Sequence, residues 1–193
     1  MPRILQVEPL TAQSPEIGRW LWALEEVRVR THRLIDGLDQ RTLDWEGADG
    51  RENAIGSLLY HIADVEMGWL FGDLLGKPFP PQVRSDFPHK GRDAQGRLPR
   101  VLGVPLAEHL GRLKRSRTIA LDTLRDIPIE DWRRLRHPTG EDYEVTPEWV
   151  LFHLVEHEAG HAFQISSLKA RATRLFAAQA PSQKVQADSG PIS

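Results

Sequence analysis

The chain has 193 residues, enough for one domain with a substantial core and with no need of a second. Apolar residues make up 40% and charged residues 27%, which excludes a disordered chain, and a formal charge of −2 supplies no field that would gather nucleic acid or an anionic membrane. With no cysteine, there is no disulfide, thiolate ligand or Cys nucleophile, so any metal site must be built from His, Asp and Glu. That composition suits a reducing cytoplasm. No basic region followed by an apolar run opens the sequence, and no stretch approaches the roughly 18 apolar residues of a membrane span. The expected protein is cytoplasmic and works on a small molecule, with no nucleic acid and no membrane as partner.

In chain order, the first helical pattern runs from about Pro15 to Leu38. Ile17, Trp20, Leu24, Val27, Leu34 and Leu38 step by threes and fours with Thr31 as the one polar member, and Ser14 reads as the N-cap before Pro15. The second runs from about Asn53 to Leu75, with Leu58, Ile62, Val65 and Trp69 on one face, His61 inside it and Gly76 placed to end it. Lys77 to Arg100 carries five prolines with Gly91 and Gly96, and reads as a long crossing loop of the kind that covers or borders a site.

The third pattern starts near Pro105, shows Leu106, Leu110, Leu113, Leu121 and Leu124, and stops at Pro128. Two short strands or an irregular hairpin fit Trp132 to Val145 around His137-Pro138-Thr139-Gly140. The fourth helix opens at Thr146-Pro147-Glu148 and continues to about Phe176. The fold expected is all-α: a four-helix bundle over residues 1–176, with a long crossing loop and a short irregular or hairpin segment before the last helix. Residues 177–193 are expected to form a flexible tail.

Eight histidines are present, and their spacing matters more than their number. His153, His157 and His161 recur every four residues on the last helix, where such residues stack on nearly one face. His-x3-His on a helix is a common chelating unit, because both rings can bring a nitrogen to about 2.0–2.1 Å from one ion. Leu154, Ile165 and Leu168 mark this helix as buried, and imidazoles buried together without an ion would be costly. One helix cannot encircle an ion, so another ligand must come from elsewhere. His61, within Leu58-Leu59-Tyr60-His61-Ile62, is the candidate, against the alternative of a core histidine bonded to a neighbour. The metal ligands expected are therefore His61, His157 and His161. His32, His89, His109 and His137 lie in charged or loop contexts and read as surface residues.

A rival reading uses the same helix. Residues 157 to 161 spell His-Glu-Ala-Gly-His, the H-E-x-x-H pattern in which two histidines hold zinc and the glutamate acts as general base of a peptidase. That reading needs a third ligand, normally downstream, and after His161 the only acid is Asp188. Glu158 is offset by about 100° from His157, so it points beside the site or away from it. Asp64 and His153 either orient a ligand through its outer ring nitrogen or are simply solvated or packed.

The segments Asn53-Ala54-Ile55-Gly56-Ser57-Leu58-Leu59-Tyr60-His61-Ile62-Ala63-Asp64 and Thr146-Pro147-Glu148-Trp149-Val150-Leu151-Phe152-His153-Leu154-Val155-Glu156-His157-Glu158-Ala159-Gly160-His161-Ala162-Phe163-Gln164-Ile165 resemble the DinB/YfiT-like superfamily of metal-binding four-helix bundles. The resemblance covers about residues 14 to 176. Members typically end the second motif in His-Arg-Gly-Gln, where this chain has His161-Ala162-Phe163-Gln164, so the glutamine is kept and the Arg-Gly pair is not. The resemblance implies a trihistidine site for one divalent ion (Zn, Ni, Fe, Mn or Co), with open positions, in a protein that often forms homodimers. It also implies a metal-dependent transferase that conjugates a low-molecular-weight thiol, as cosubstrate, to an electrophile in detoxification or stress response. The alternatives are a non-catalytic metal-binding bundle and a zinc hydrolase using residues 157–161.

Overall fold

The computed structural model describes residues 2, 4–89 and 92–179, and in it the four helical patterns become four long helices joined by single turns and loops. Helix α1 (Pro15–Ile35) starts where Ser14 Oγ accepts from the Ile17 amide at 3.3 Å. One turn, α2 (Gln40–Leu43), capped by Asp39, leads towards α3 (Ile55–Gly68). There the helix widens into a π-helical segment, Trp69–Leu74, in which the Leu75 amide donates to the Leu70 carbonyl five residues back; Gly76, at φ 59°, turns the chain away. The crossing loop holds a single turn, α4 (Pro81–Arg84), before α5 (Leu106–Leu124). Another turn, α6 (Ile129–Trp132), precedes α7 (Pro147–Gln179), whose start is capped by Thr146 Oγ1 accepting from the Trp149 amide at 3.2 Å.

Residues 177–179 do not belong to the tail expected from 177, since α7 continues through Gln179; the rest of that expectation, residues 180–193, lies outside the described residues. No helix among the described residues is long and apolar enough to cross a membrane. Between α6 and α7 the chain forms the irregular hairpin of the two alternatives, reduced to one antiparallel pair in which Arg136 and Val145 exchange both backbone bonds, at 2.7 and 3.1 Å. The next bonded pairs of such a ladder would need N–H groups from Pro138 on one side and Pro147 on the other, and proline has none.

Packing follows the apolar stripes. α1 lies against α7, and α3 packs on both α5 and α7. Ile17, Leu21, Leu24, Leu58, Ile62, Leu113, Leu151, Leu154 and Ile165 are among the side chains that close the core. Lys169 of α7 donates to the Leu34 carbonyl at 2.7 Å, satisfying one of the acceptors that the end of α1 leaves open.

The bundle axis is not wholly apolar. Each long helix contributes at least one ionised group to its interior: Arg28 from α1, Glu66 from α3, Arg117 from α5 and Glu158 from α7, none more than 5% exposed. Arg28 donates to Glu158 at 2.8 Å and to Glu66 at 3.3 Å; Arg117 donates to Glu66 at 2.5 Å and to Glu158 at 3.0 Å. Ser116 donates to Glu66 at 2.7 Å, and the remaining guanidinium N–H groups reach the Leu113 and Leu24 carbonyls. Two cations and two anions thus alternate around a closed, neutral ring. Burial alone would push the Glu66 carboxyl up, but Arg117 and Arg28, with the hydrogen bonds from Ser116 and Arg117, outweigh it and hold the carboxyl below its ordinary value.

His109 is the point at which the surface expectation fails. It is 1% exposed, in the stripe of α5 shared with Leu113, Ser116 and Ala120, where its spacing rather than its charged neighbours decides its burial. Arg112 donates to its Nδ1 at 3.4 Å, while Nε2 has no partner among the described residues and abuts Gly56. A Cβ at Gly56 would lie 3.0 Å from the Val101 carbonyl oxygen and 3.1 Å from His109 Nε2, so the glycine allows α5 and the crossing loop to approach α3. His32 is half-buried, whereas His89 and His137 are exposed as expected.

Two predictions concern this interior. Glu66→Gln leaves Arg28 and Arg117 with Glu158 as their one buried carboxylate, besides the half-exposed Glu25 beside Arg117, and is expected to cost about 3–5 kcal/mol by urea denaturation. Arg133→Gln, which opens the exposed pair with Glu16, is expected to leave the urea midpoint almost unchanged. Burial, aided by the Arg112 charge, pushes the His109 pKa down to about 4. The ring stays neutral in the folded chain and takes a proton below about 6.5 in the unfolded one, so its contribution is intact above pH 6.5 and lost as pH falls towards 4. Stability should decline across that window, and His109→Leu should flatten part of the decline in a series of denaturation curves.

Candidate metal centre

His61 stands on α3 and His157 and His161 on α7, at the seam where the two helices meet. The three rings converge, with centroids 5.0 Å apart for His61 and His157, 5.1 Å for His61 and His161, and 4.4 Å for His157 and His161. His157 Nε2 lies 3.2 Å from His61 Nε2 and 3.0 Å from His161 Nε2, and one nitrogen from each ring falls within 4.8 Å of the other two. Two nitrogens about 2.05 Å from a shared ion and 3.0–3.2 Å apart subtend about 95–105°, angles that tetrahedral and octahedral coordination both accommodate. A ring proton on one Nε2 could bridge to a neighbouring nitrogen, whereas a divalent ion would engage the lone pairs of all three at once, so the arrangement fits such an ion. The three histidines singled out from sequence are thus brought together in a group that could hold a metal ion.

Protonation agrees with that role. Burial is the largest cause lowering all three imidazoles: His61 falls to about 4 and His157 to about 3, with neighbouring histidines and Arg92 adding to the effect, and His161 is also lowered. At neutral pH the rings are uncharged and their lone pairs free to coordinate. Gln164, one turn on from His161, fixes one of them: its Oε1 lies 3.0 Å from His161 Nδ1, and because an amide oxygen only accepts, the proton sits on Nδ1 and Nε2 turns its lone pair inward. This orienting residue was not picked out from sequence, although its spacing of three from a ligand is the signal that finds it.

The crossing loop is held beside the centre by a polar row on α3 and the residue ahead of it. Asn53 accepts from the Leu98 amide at 2.9 Å, Ser57 accepts from the Val101 amide at 3.0 Å, and Tyr60 donates to the His89 carbonyl at 2.8 Å while accepting from its amide at 3.0 Å. Loop position is thus set by the same segment that carries His61.

The other candidates take different places. His153 does not orient His157. It stacks on Trp149, 5.3 Å between centroids at an interplanar angle of 8°, with Trp69 5.0 Å away, so it belongs to an aromatic wall on one flank of the centre. Asp64 lines a separate cavity of about 450 Å³ with Trp69, Asp73 and Arg84. Glu158, 2% exposed, turns into the bundle and accepts from Arg28 and Arg117. The general base that a peptidase would require from the H-E-x-x-H pattern is therefore engaged in the core.

Comparison with known proteins agrees with this architecture. The chain is 23% identical over 158 residues to the uncharacterized protein YkkA of Bacillus subtilis (strain 168), an alignment covering 81% of this chain and 87% of that protein. The profile of the DinB superfamily matches residues 23–165, from the middle of α1 to just past His161, and the chain belongs to that superfamily.

Proposed function

We propose that this protein is a metal-dependent transferase that joins a low-molecular-weight thiol to an electrophilic small molecule. The observation that carries the reading is the convergence of three neutral imidazole nitrogens from two helices, with no carboxylate among the grouped ligands. Neutral ligands leave a divalent ion its full charge, and such an ion, when bound, stabilises a thiolate and orients it. Imidazole serves Zn, Ni, Fe, Mn and Co alike, so the ligand set does not choose among them.

This chain's own residues would divide the remaining work. Gln164 keeps the His161 lone pair aimed at the ion. The wall of Trp149, His153 and Trp69 offers aromatic surface beside the centre, with Trp149 47% exposed, and this suits an apolar electrophile. The burial of Glu158 in its ion pairs favours transfer over peptide hydrolysis.

Untagged protein is expected to hold about one equivalent of divalent metal by elemental analysis. His61→Ala should release it while the helical circular dichroism persists, and an unchanged metal content would remove His61 from the site. Gln164→Ala should retain the site but weaken metal affinity about 10–100-fold. Thiol conjugation to a model electrophile such as monochlorobimane is expected to require the metal, to vanish on chelation and to return on adding metal back. Full metal occupancy without conjugation of any thiol would leave a non-catalytic metal-binding bundle.

A further inference from the structure

Towards the C-terminal half of α7, a cavity of about 310 Å³ opens next to the trihistidine centre. Its wall includes Gln164, the residue bonded to His161, and Leu58, one turn before His61. Three guanidinium groups also line it, and they are not equally compensated. Arg171 is neutralised by Glu52 through two bonds, at 2.7 and 2.5 Å. Arg97 is ion-paired through its Nε to Asp93 at 2.7 Å, which leaves its terminal nitrogens open save for a long 3.5 Å approach of Nη1 to the Gly50 carbonyl. The Arg51 side chain has no partner among the described residues. Nearby, Arg92 donates to the Gly96 carbonyl and pairs with no carboxylate among the described residues, and its charge helps to lower the proton affinity of all three histidines.

Positive charge in that place works against a bare divalent ion, so metal binding alone gives no reason for it. A ligand that meets the ion with one end and presents an anionic group at the other removes the conflict, because guanidinium groups bind carboxylate and phosphate in a planar, two-point fashion. Phe163, at the rim and 76% exposed, offers apolar surface to the carbons between the two ends.

We propose that Arg51 and Arg97 form an anion-recognition subsite in this cavity, and that the small molecule reaching the metal centre carries a carboxylate or phosphate bound there. The subsite rests on the metal centre and does not require that the reaction be thiol transfer.

The test is calorimetric titration of zinc-loaded protein with succinate, inorganic phosphate and the neutral analogue succinamide. Saturable binding of at least one anion, with none of succinamide, is expected at concentrations up to about 10 mM; Arg51→Gln and the Arg51→Gln/Arg97→Gln double variant should weaken it about tenfold or more, with Arg51→Lys intermediate and zinc stoichiometry unchanged. Succinate alone binding identifies a carboxylate ligand, phosphate alone a phosphoryl ligand, and both the shared subsite. Absence of binding by either anion, or equal binding to wild type and Arg51→Gln, overturns the proposal; equal binding would put the anion on the zinc itself. Arg51→Gln breaks no described side-chain contact, so the test survives even if the double variant does not fold. Loss of the metal reading would show separately, as failure to retain zinc.

Discussion

The structure depends on the ring of Arg28, Glu66, Arg117 and Glu158. Taking four charges out of water is expensive, and their mutual attraction offsets that only when every charge meets two of the opposite sign and the remaining N–H groups find carbonyls. Here both conditions hold, with Leu24 and Leu113 supplying the carbonyls. Because each long helix contributes to the ring, shifting any one of them strands charge in the core. An apolar interface tolerates a small rotation of a helix; this one penalises it.

That constraint reaches the metal centre through two chain neighbours. Glu158 follows His157 directly, and Glu66 lies five residues after His61. A one-residue slip of α7 would rotate it by about 100°, taking Glu158 out of its pairs and His157 and His161 away from α3 together. The core and the site therefore share one register. Gln164 then refines the direction of a single ring, and Asn53, Ser57 and Tyr60 bring the crossing loop against the same stretch of α3. The fold positions the site from the inside outwards, starting with charges that never touch a ligand.

Much of this was readable from residues because it is local or periodic. Ser14, Thr146 and Gly76 act at the helix ends where their chemistry placed them, and His157 and His161 share a face because four residues make roughly one turn. His61 was readable from an apolar context that leaves an imidazole without an obvious partner. The ring was harder, since no charge in it announces its mate; the available signal was an ionised residue within the buried stripe of every long helix, with Arg112 as a second on α5. His109 shows the same difficulty in one residue, with Glu108 and Arg112 beside it suggesting solvent while the spacing to Leu113, Ser116 and Ala120 sets it in the core. The hairpin contracted to one pair through two prolines whose effect depends on a register that only the folded chain reveals.

The five residues His157 to His161 show how far a short motif determines chemistry. On any helix, positions one and five share a face and position two is turned from them by about 100°. Helical geometry therefore dictates that the two histidines share a face and the glutamate looks elsewhere; it does not dictate what lies there. In a peptidase the second face borders a cleft, and the carboxylate meets water. Here α1 and α5 present Arg28 and Arg117 to that face, and Glu158 becomes part of the core. What the glutamate of the motif can do is thus decided by the helices opposite it, and in this bundle they engage it in the core while the histidines stay grouped at the seam with α3.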